Sequence, residues 1–285
     1  MTDTTTRPTA LVTGASSGIG EAFARRLAAE GHDLVLVARN EDALTRLAGE
    51  LERRHGVRAL VAPADLSTPD GVAAVRRRTD DAGVAVDLLV NNAGFATHGP
   101  LLDLDPVRDH QQVMVDVAAV VGLTHAYVRD MAARGRGGIV NVASTAGFQP
   151  LPFMAVYGAS KAFVLSFSEA LRVELRGTGV AVVALCPGPT DTGFFAHVGD
   201  EASVGARATP EAVVDAGLRA LRTDAGTVVV GLRNRLLTAL PRLLPRAAAA
   251  AVAGRVLRRG ADAARPARPV SPSGNPPRGR TGPSR

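Results

Sequence analysis

Tyr157 and Lys161 stand four residues apart, and Lys161 is the sole lysine in a chain that carries 33 lysines and arginines. Tyrosine is almost as scarce, Tyr127 being the second of two. On a helix, positions i and i+4 share a face one turn apart, so the phenol and the ammonium can serve one site. Arginine would not replace the lysine in a titrating role, because guanidinium is a planar fork that stays charged. A tyrosine four residues before a lysine also recurs by accident, as a core ring beside a surface charge. The pair therefore acquires meaning only from what else the chain brings to it.

A second stretch with chemical potential is Thr13-Gly14-Ala15-Ser16-Ser17-Gly18-Ile19-Gly20. It follows an apolar run, Thr9 to Thr13, and precedes the helical pattern of Glu21 to Glu30, with Phe23 and Leu27 at i and i+4. Glycines at a strand-to-helix turn let an anion approach bare backbone N–H groups at the helix N-terminus, where the helix dipole favours negative charge. With the apolar strand Asp33 to Ala38, this makes a βαβ unit of the kind that binds dinucleotides. The spacing Gly14-x-x-x-Gly18-x-Gly20 departs from the usual G-x-G-x-x-G.

The remaining chain alternates in the same way. Strands are expected at Val57 to Pro63, Asp87 to Val90, Ile139 to Ala143, Val180 to Leu185 and Thr227 to Val230. Helices are expected at Asn40 to His55, Thr68 to Asp81, Pro106 to Met131 (capped by Asp105), Ala155 to Arg176, and from Thr209-Pro210-Glu211 onward. Such alternation predicts an α/β fold: a Rossmann-type, doubly wound, seven-stranded parallel sheet in a single domain. Ligands then lie outside the carboxyl ends of the strands.

Thr-Gly-x-x-x-Gly-x-Gly, Asn91-Asn92-Ala93-Gly94, Ser144, and Tyr157-x-x-x-Lys161 occur in that order. Together they resemble the short-chain dehydrogenase/reductase family over about Thr9 to Gly231. The resemblance implies an NAD(P)-dependent enzyme interconverting carbonyl and alcohol. Ser144, thirteen residues before Tyr157, would hold the substrate oxygen, and Tyr157 would be the general acid or base. Lys161 would hold the nicotinamide ribose and stabilise the phenolate. Lowering a phenol from ~10 toward ~7 takes roughly 4 kcal/mol of such stabilisation. Gly14, Gly18, Ile19 and Gly20 would hold the pyrophosphate, Ser16 and Ser17 would add hydroxyl contacts beside the 2′-phosphate, and Asp65 and Leu66 would meet the adenine. Asn92, Ala93 and Gly94 would flank the cofactor, and Pro187, Gly188 and Thr192 would pack on the nicotinamide. Many members of the family carry an asparagine in the long central helix. Counting back from Leu123-Thr124 puts Asp116 at that place, a carboxylate that would keep Lys161 cationic and could extend a proton relay.

Cofactor choice follows from charge. NAD sites hold the ribose 2′-hydroxyl with an acid at the end of the second strand. Here that strand ends Val37-Ala38-Arg39-Asn40, and Arg39 suits a 2′-phosphate, so NADP(H) is expected over NAD(H). Gly193 to Ala208, with Phe194 and Phe195, would be a mobile substrate lid. Phe148, Leu151 and Phe153 would add apolar walls, pointing to a lipophilic substrate.

The chain has 285 residues and a net charge of +6. That charge is concentrated at one end: from Gly231 onward twelve arginines face one acid, Asp262, leaving the preceding body acidic. A nucleic-acid-binding core is therefore not expected. One cysteine, Cys186, allows no internal disulfide. The polar N-terminus lacks a signal-peptide pattern, and no apolar run is long enough to span a bilayer. A cytoplasmic protein is expected, with no metal.

The expected organisation is a polar tail at 1–8, the catalytic domain at 9–231, an apolar Arg-rich helical extension at 232–262, and a disordered Pro/Gly/Arg tail at 263–285. The extension would pack on the domain or on a subunit partner, or touch a membrane surface peripherally. A homodimer or homotetramer is expected from the resemblance. The leading functional reading is a carbonyl reductase using NADPH, with 3-oxoacyl reduction and hydroxysteroid oxidation beside it. A catalytically silent NADP(H) sensor is the reading from another class.

Overall fold

A computed structural model of the chain describes residues 7–194, 207–240 and 245–263. Most of the N-terminal tail, Phe195 and most of the expected lid, and nearly all of the C-terminal tail lie outside the described residues. Seven strands form one parallel sheet: β1 (Thr9–Thr13), β2 (Asp33–Ala38), β3 (Ala59–Pro63), β4 (Leu88–Asn91), β5 (Gly137–Val142), β6 (Val180–Cys186) and β7 (Thr227–Val229). Their order is β3-β2-β1-β4-β5-β6-β7. The direction of winding reverses between β1 and β4, and at that switch point the carboxyl ends of neighbouring strands part to leave a crevice.

Residues of the inner strands are buried on both faces because helices cover both, while the edge strands β3 and β7 are mostly half-buried. Val12, Leu36, Val90 and Val183 meet Phe23 and Leu27 of α1 (Gly18–Ala29), Leu44, Leu47 and Leu51 of α2 (Glu41–His55), and Val213, Val214 and Leu218 of a later helix, Pro210–Arg222. Alternate residues Leu11, Val35, Val37, Leu89 and Ile139 face the other way. They meet Val75 of α3 (Gly71–Asp81) and Leu123, Tyr127 and Met131 of the central helical segment. The period of two along each strand thus assigns its residues to two cores, as parallel sheets require.

Two helix boundaries differ from expectation for local reasons. α3 begins at Gly71 rather than Thr68, because the Thr68 hydroxyl donates to the Asp65 carbonyl. The turn there is so close that a Cβ on Gly71 would stand 2.2 Å from the same carbonyl. The expected single helix from Pro106 is interrupted: α4 (Pro106–Val113) passes through a π-helical turn, Met114–Ala118, into α5 (Ala119–Ala133). A π turn inserts one residue into the ladder and swings a side chain inward, a device frequent at functional sites. The residue swung inward here is Asp116, which is fully buried.

The N-caps are as the residue types demand. Asn40 accepts from Ala43 N, Asp105 from Val107 N, and Thr209 from Ala212 N. α6 (Ala155–Glu174) carries Tyr157 and Lys161, and α7 (Pro210–Arg222) follows β6. The extension forms two helices, α8 (Leu232–Ala239) and α9 (Arg246–Ala263). Among the described residues no helix is long and apolar enough to cross a membrane.

Candidate active site

One cavity of about 1600 Å³ opens at the carboxyl edge of the sheet. Drug-sized ligands fill roughly 300–1,000 Å³, so two ligands have room side by side. The cavity reaches from Arg39 and Asp65 at one end, past the glycine turn, to Ser144, Tyr157 and Lys161 at the other.

The glycine turn is built so that only glycine fits. Gly14 and Gly18 have φ of +66° and +57°, in the region L side chains avoid. A Cβ on Gly20 would stand 2.1 Å from the Gly14 carbonyl, and one on Gly14 would meet Asn92 Nδ2 at 2.8 Å. Ser17 takes the extended N-cap position of α1 without a side-chain cap bond, and Ser16, Ser17 and Ile19 line the cavity beside the first N–H groups of that helix. This bare backbone at a helix start fits a dinucleotide's pyrophosphate.

The switch point itself is bolted by Thr13. Its hydroxyl accepts from Asn92 N at 2.9 Å and Ala93 N at 3.0 Å, while Asn92 Nδ2 donates to the Thr13 carbonyl at 2.9 Å. Asn92, Ala93 and Gly94 are held along the cavity wall in this way. Arg39 is exposed at the cavity rim. Asp65 stands near it, its carboxyl held below the usual range by hydrogen bonds from Ser67, with Arg39 assisting. Leu66 is buried beside it and also lines the cavity.

At the other end β5 delivers Ser144, and Tyr157 and Lys161 come from the first turns of α6. Ser144 caps the turn that follows, accepting from Ala146 N at 3.1 Å. Tyr157 is half-buried on the cavity wall and its pKa is raised, chiefly by desolvation. Lys161 and the Ser144 hydroxyl act in the opposite direction without overcoming it. In the protein by itself desolvation outweighs one ammonium; the expected lowering toward neutrality draws also on the positive charge of the oxidised nicotinamide. The Lys161 Nζ lies 5.7 Å from the Tyr157 ring centroid and donates to the Val142 carbonyl at 3.1 Å.

Asp116 completes the group. Its Oδ2 lies 3.8 Å from Lys161 Nζ, and its Oδ1 accepts from Phe95 N at 3.2 Å. Burial pushes its carboxyl up to about 6, opposed by Lys161 and that hydrogen bond. A Cβ on Gly94 would crowd Asp116 Oδ1 at 2.8 Å and Lys161 Nζ at 3.3 Å, so the glycine ending the Asn-Asn-Ala-Gly stretch makes room for the pair.

Pro187, Gly188 and Thr192 also reach the cavity. Pro187 accepts through its carbonyl from Thr145 N at 2.9 Å, and the Thr192 side chain packs against Gly18. Tyr157 and Phe194 rings pack with centroids 5.7 Å apart. Phe148 and Leu151 line the cavity as expected, whereas Phe153 is not among its lining residues and adopts a positive φ of 65°. The sequence reading missed Asn234, Leu237 and Thr238 of α8 and Ala249, Val252 and Ala253 of α9, all of which line the same cavity. Their i, i+3, i+4 spacing was a legible sign of an inward stripe on each helix.

Residues 8–203 match the short chain dehydrogenase family. Sulfoacetaldehyde reductase 2 of Chromohalobacter salexigens is 42% identical over 186 residues, covering 65% of this chain and 73% of that protein. A 7beta-hydroxysteroid dehydrogenase of Collinsella aerofaciens is 33% identical over 230 residues, 79% of this chain and 86% of the relative. Among solved structures, a short-chain dehydrogenase from Sphingobium yanoikuyae in complex with NADPH superposes with a TM-score of 0.73. It shares 33% identity, covering 93% of this chain and 99% of that one.

Proposed function

The chain belongs to the short chain dehydrogenase family, oxidoreductases acting between CH–OH and C=O groups, and from that premise we propose that it reduces a lipophilic carbonyl compound with NADPH. The observation that carries this reading is the convergence of Ser144, Tyr157 and Lys161 on one cavity continuous with the glycine turn.

NADPH, when bound, supplies the hydride. Gly14, Gly18, Ile19 and Gly20 would hold its pyrophosphate, Arg39 its 2′-phosphate with Ser16 and Ser17 beside it, and Asp65 and Leu66 its adenine. Asn92, Ala93 and Gly94 would line its path, with Pro187, Gly188 and Thr192 against the nicotinamide. NADP(H) is preferred over NAD(H) because Arg39 is a cation where an acid would be needed for a bare ribose.

The Ser144 hydroxyl orients the substrate oxygen and stabilises charge developing on it. Tyr157 donates its phenolic proton to that oxygen. Burial keeps the phenol protonated in the protein alone, the state a proton donor needs at the start of reduction. Lys161 then stabilises the phenolate left behind. Asp116 faces the Lys161 ammonium at 3.8 Å and, with its carboxyl pushed up to about 6 by burial, would extend the proton path away from Tyr157.

Within this reading a 3-oxoacyl or hydroxysteroid substrate fits the apolar walls. A silent NADP(H) sensor would have no use for the assembled serine, tyrosine and lysine. The enzyme would act in the cytoplasm as a homodimer or homotetramer, supported by Phe163 and Val173 of α6, 41% and 54% exposed. Exposed Leu232 and Leu236 beside Arg233 and Arg235 support peripheral membrane contact through α8. The test is NADPH consumption against a panel of lipophilic ketones, aldehydes and 3-oxoacyl thioesters, with Tyr157→Phe alongside. Turnover that survives that change would refute the mechanism, and NADPH binding without turnover would favour the sensor.

A further inference from the structure

The two helices of the extension lie beyond the residues that match the family, yet both reach the cavity that holds Ser144 and Tyr157. Each does so through a stripe spaced i, i+3, i+4: 234, 237 and 238 on α8, and 249, 252 and 253 on α9. That spacing turns three side chains to one side of a helix.

The two stripes differ in what they offer. On α8, the Asn234 amide packs against Gly188, where an added Cβ would meet its Nδ2 at 2.4 Å, and donates to the Val230 carbonyl at 2.8 Å. The Thr238 hydroxyl is likewise engaged by its own helix, donating to Asn234 O at 2.9 Å. Both polar side chains thus spend a donor on the backbone of their own helix or its approach, and the rest of the two stripes is apolar. On α9 the stripe is Ala249, Val252 and Ala253, short side chains that leave space beneath the helix. The α9 backbone itself comes down onto the segment leading into α6, with a Cβ on Gly254 falling 3.4 Å from Pro152.

Leu237 and Val252 are each 51% exposed although they line the cavity. Apolar surface in that position is covered when a lipophilic body fills the chamber. We infer that α8 and α9 roof the substrate chamber and set the size of what it admits. The substrate is a bulky lipophilic carbonyl compound whose body lies beneath the small side chains of α9. This inference rests on the carbonyl-reductase reading for its reaction, but the roof makes its own prediction for binding.

Filling the space should convert the enzyme to small substrates. With Ala253→Phe, kcat/KM for 9-fluorenone should fall at least tenfold while that for propanal stays within twofold. The variant's melting temperature and NADPH affinity report whether it remains folded. Val252→Phe, at a half-exposed position that tolerates bulk, repeats the test if Ala253→Phe melts early. Calorimetric binding of 9-fluorenone to the wild type and both variants provides a readout without turnover, and a tenfold loss of affinity in the variants is expected. An equal loss for both ketone and aldehyde, no loss for either, or no binding of 9-fluorenone to the wild type would overturn the roof. Binding that the variants weaken, without turnover of any carbonyl by the wild type, would leave the roof standing and remove the reductase reading.

Discussion

The Asp116 carboxylate stands 3.8 Å from the Lys161 ammonium in a place where neither side chain is more than 7% exposed. Little water screens the two charges there, so the ammonium opposes the rise that burial imposes on the Asp116 carboxyl. The π turn that brings Asp116 inward and the glycine that makes room for it act together, and neither would be needed for a surface acid.

Asp116→Asn should retain turnover but alter its pH dependence. Burial pushes the wild-type carboxyl up to about 6, so the pH profile of kcat should carry an inflection in that region, and the variant should lack it. Stability gives a second readout. Burial raises the folded-state pKa above the ordinary 3.8, so the folded protein takes up this proton first. From this group, stability is greatest at acid pH and declines as pH rises from about 4 to about 6. Melting temperatures across that window should show the slope in the wild type and lose it in the variant. Identical profiles would remove the carboxylate from the mechanism.

Tyr157→Phe should lower kcat by ~10²–10⁴-fold, the usual worth of a positioned general acid, with NADPH affinity little changed. The phenol can also be watched directly, since the chain has two tyrosines and no tryptophan. Both tyrosine pKa values are raised by burial, so ultraviolet titration of the protein alone should show both phenols ionising above the ordinary phenol range. Adding NADP⁺ should move one phenol downward, because a cation beside it favours phenolate. Tyr157→Phe should abolish that movement. A shift that persists would assign it to Tyr127.

Arg39→Ala should weaken NADPH and leave NADH nearly unaffected. A hydrogen bond to a charged group is worth ~1.5–3 kcal/mol, which converts to roughly 10–100-fold in KM for NADPH. Equal use of both cofactors by the unmodified protein would contradict the assigned role.

The sheet, its flanking helices and the strand-end motifs were legible because each rests on local pattern. Buried strands such as Leu34 to Val37 read as apolar runs, caps such as Asn40 and Thr209 announce helix starts, and Gly14, Gly18 and Gly20 mark a turn no other residue fits. What the pattern could not supply was depth. The π turn at Met114–Ala118 has no compositional signature, and the raised Tyr157 pKa depends on how far the folded chain desolvates the ring. The Asn141 and Ser168 side chains were equally silent in the sequence. They hydrogen-bond each other at 2.9 Å only because β5 and α6 pack together.

Glycine substitutions should separate binding from stability. A Cβ on Gly179 would fall 1.9 Å from the Gly135 carbonyl, far along the chain from the glycine turn and outside the cavity lining. Gly179 also has a φ of +78°, while Gly20 is blocked by the Gly14 carbonyl within the turn. Gly179→Ala should therefore cost about 1–3 kcal/mol in stability through strained backbone, leaving NADPH affinity unchanged in the folded fraction. Gly20→Ala should lower both the melting temperature and the affinity.

Ser168 offers the most direct test of how the fold holds the site. Asn91 Nδ2 donates to Asn141 Oδ1 at 2.8 Å, Asn141 Nδ2 donates to Ser168 Oγ at 2.9 Å, and Ser168 Oγ donates to the Val164 carbonyl at 2.6 Å. The chain joins β4 and β5 to α6, so it links the strand before Ser144 to the helix carrying Tyr157 and Lys161. All three side chains are buried. Ser168→Ala leaves Asn141 Nδ2 without that partner at a cost of about 1–3 kcal/mol, or roughly 2–12 °C in melting temperature for a domain of this size. A register shift of α6 would move Tyr157 relative to Ser144, so kcat should fall while the affinity for NADPH, held mainly from the glycine turn and Arg39, stays near that of the wild type. Ser168→Thr, which restores a hydroxyl, should recover kcat more fully than stability, because its added methyl must be fitted into a packed interior. A fall in melting temperature with kcat unchanged would show that the network supports the fold without setting the distance between the reacting groups.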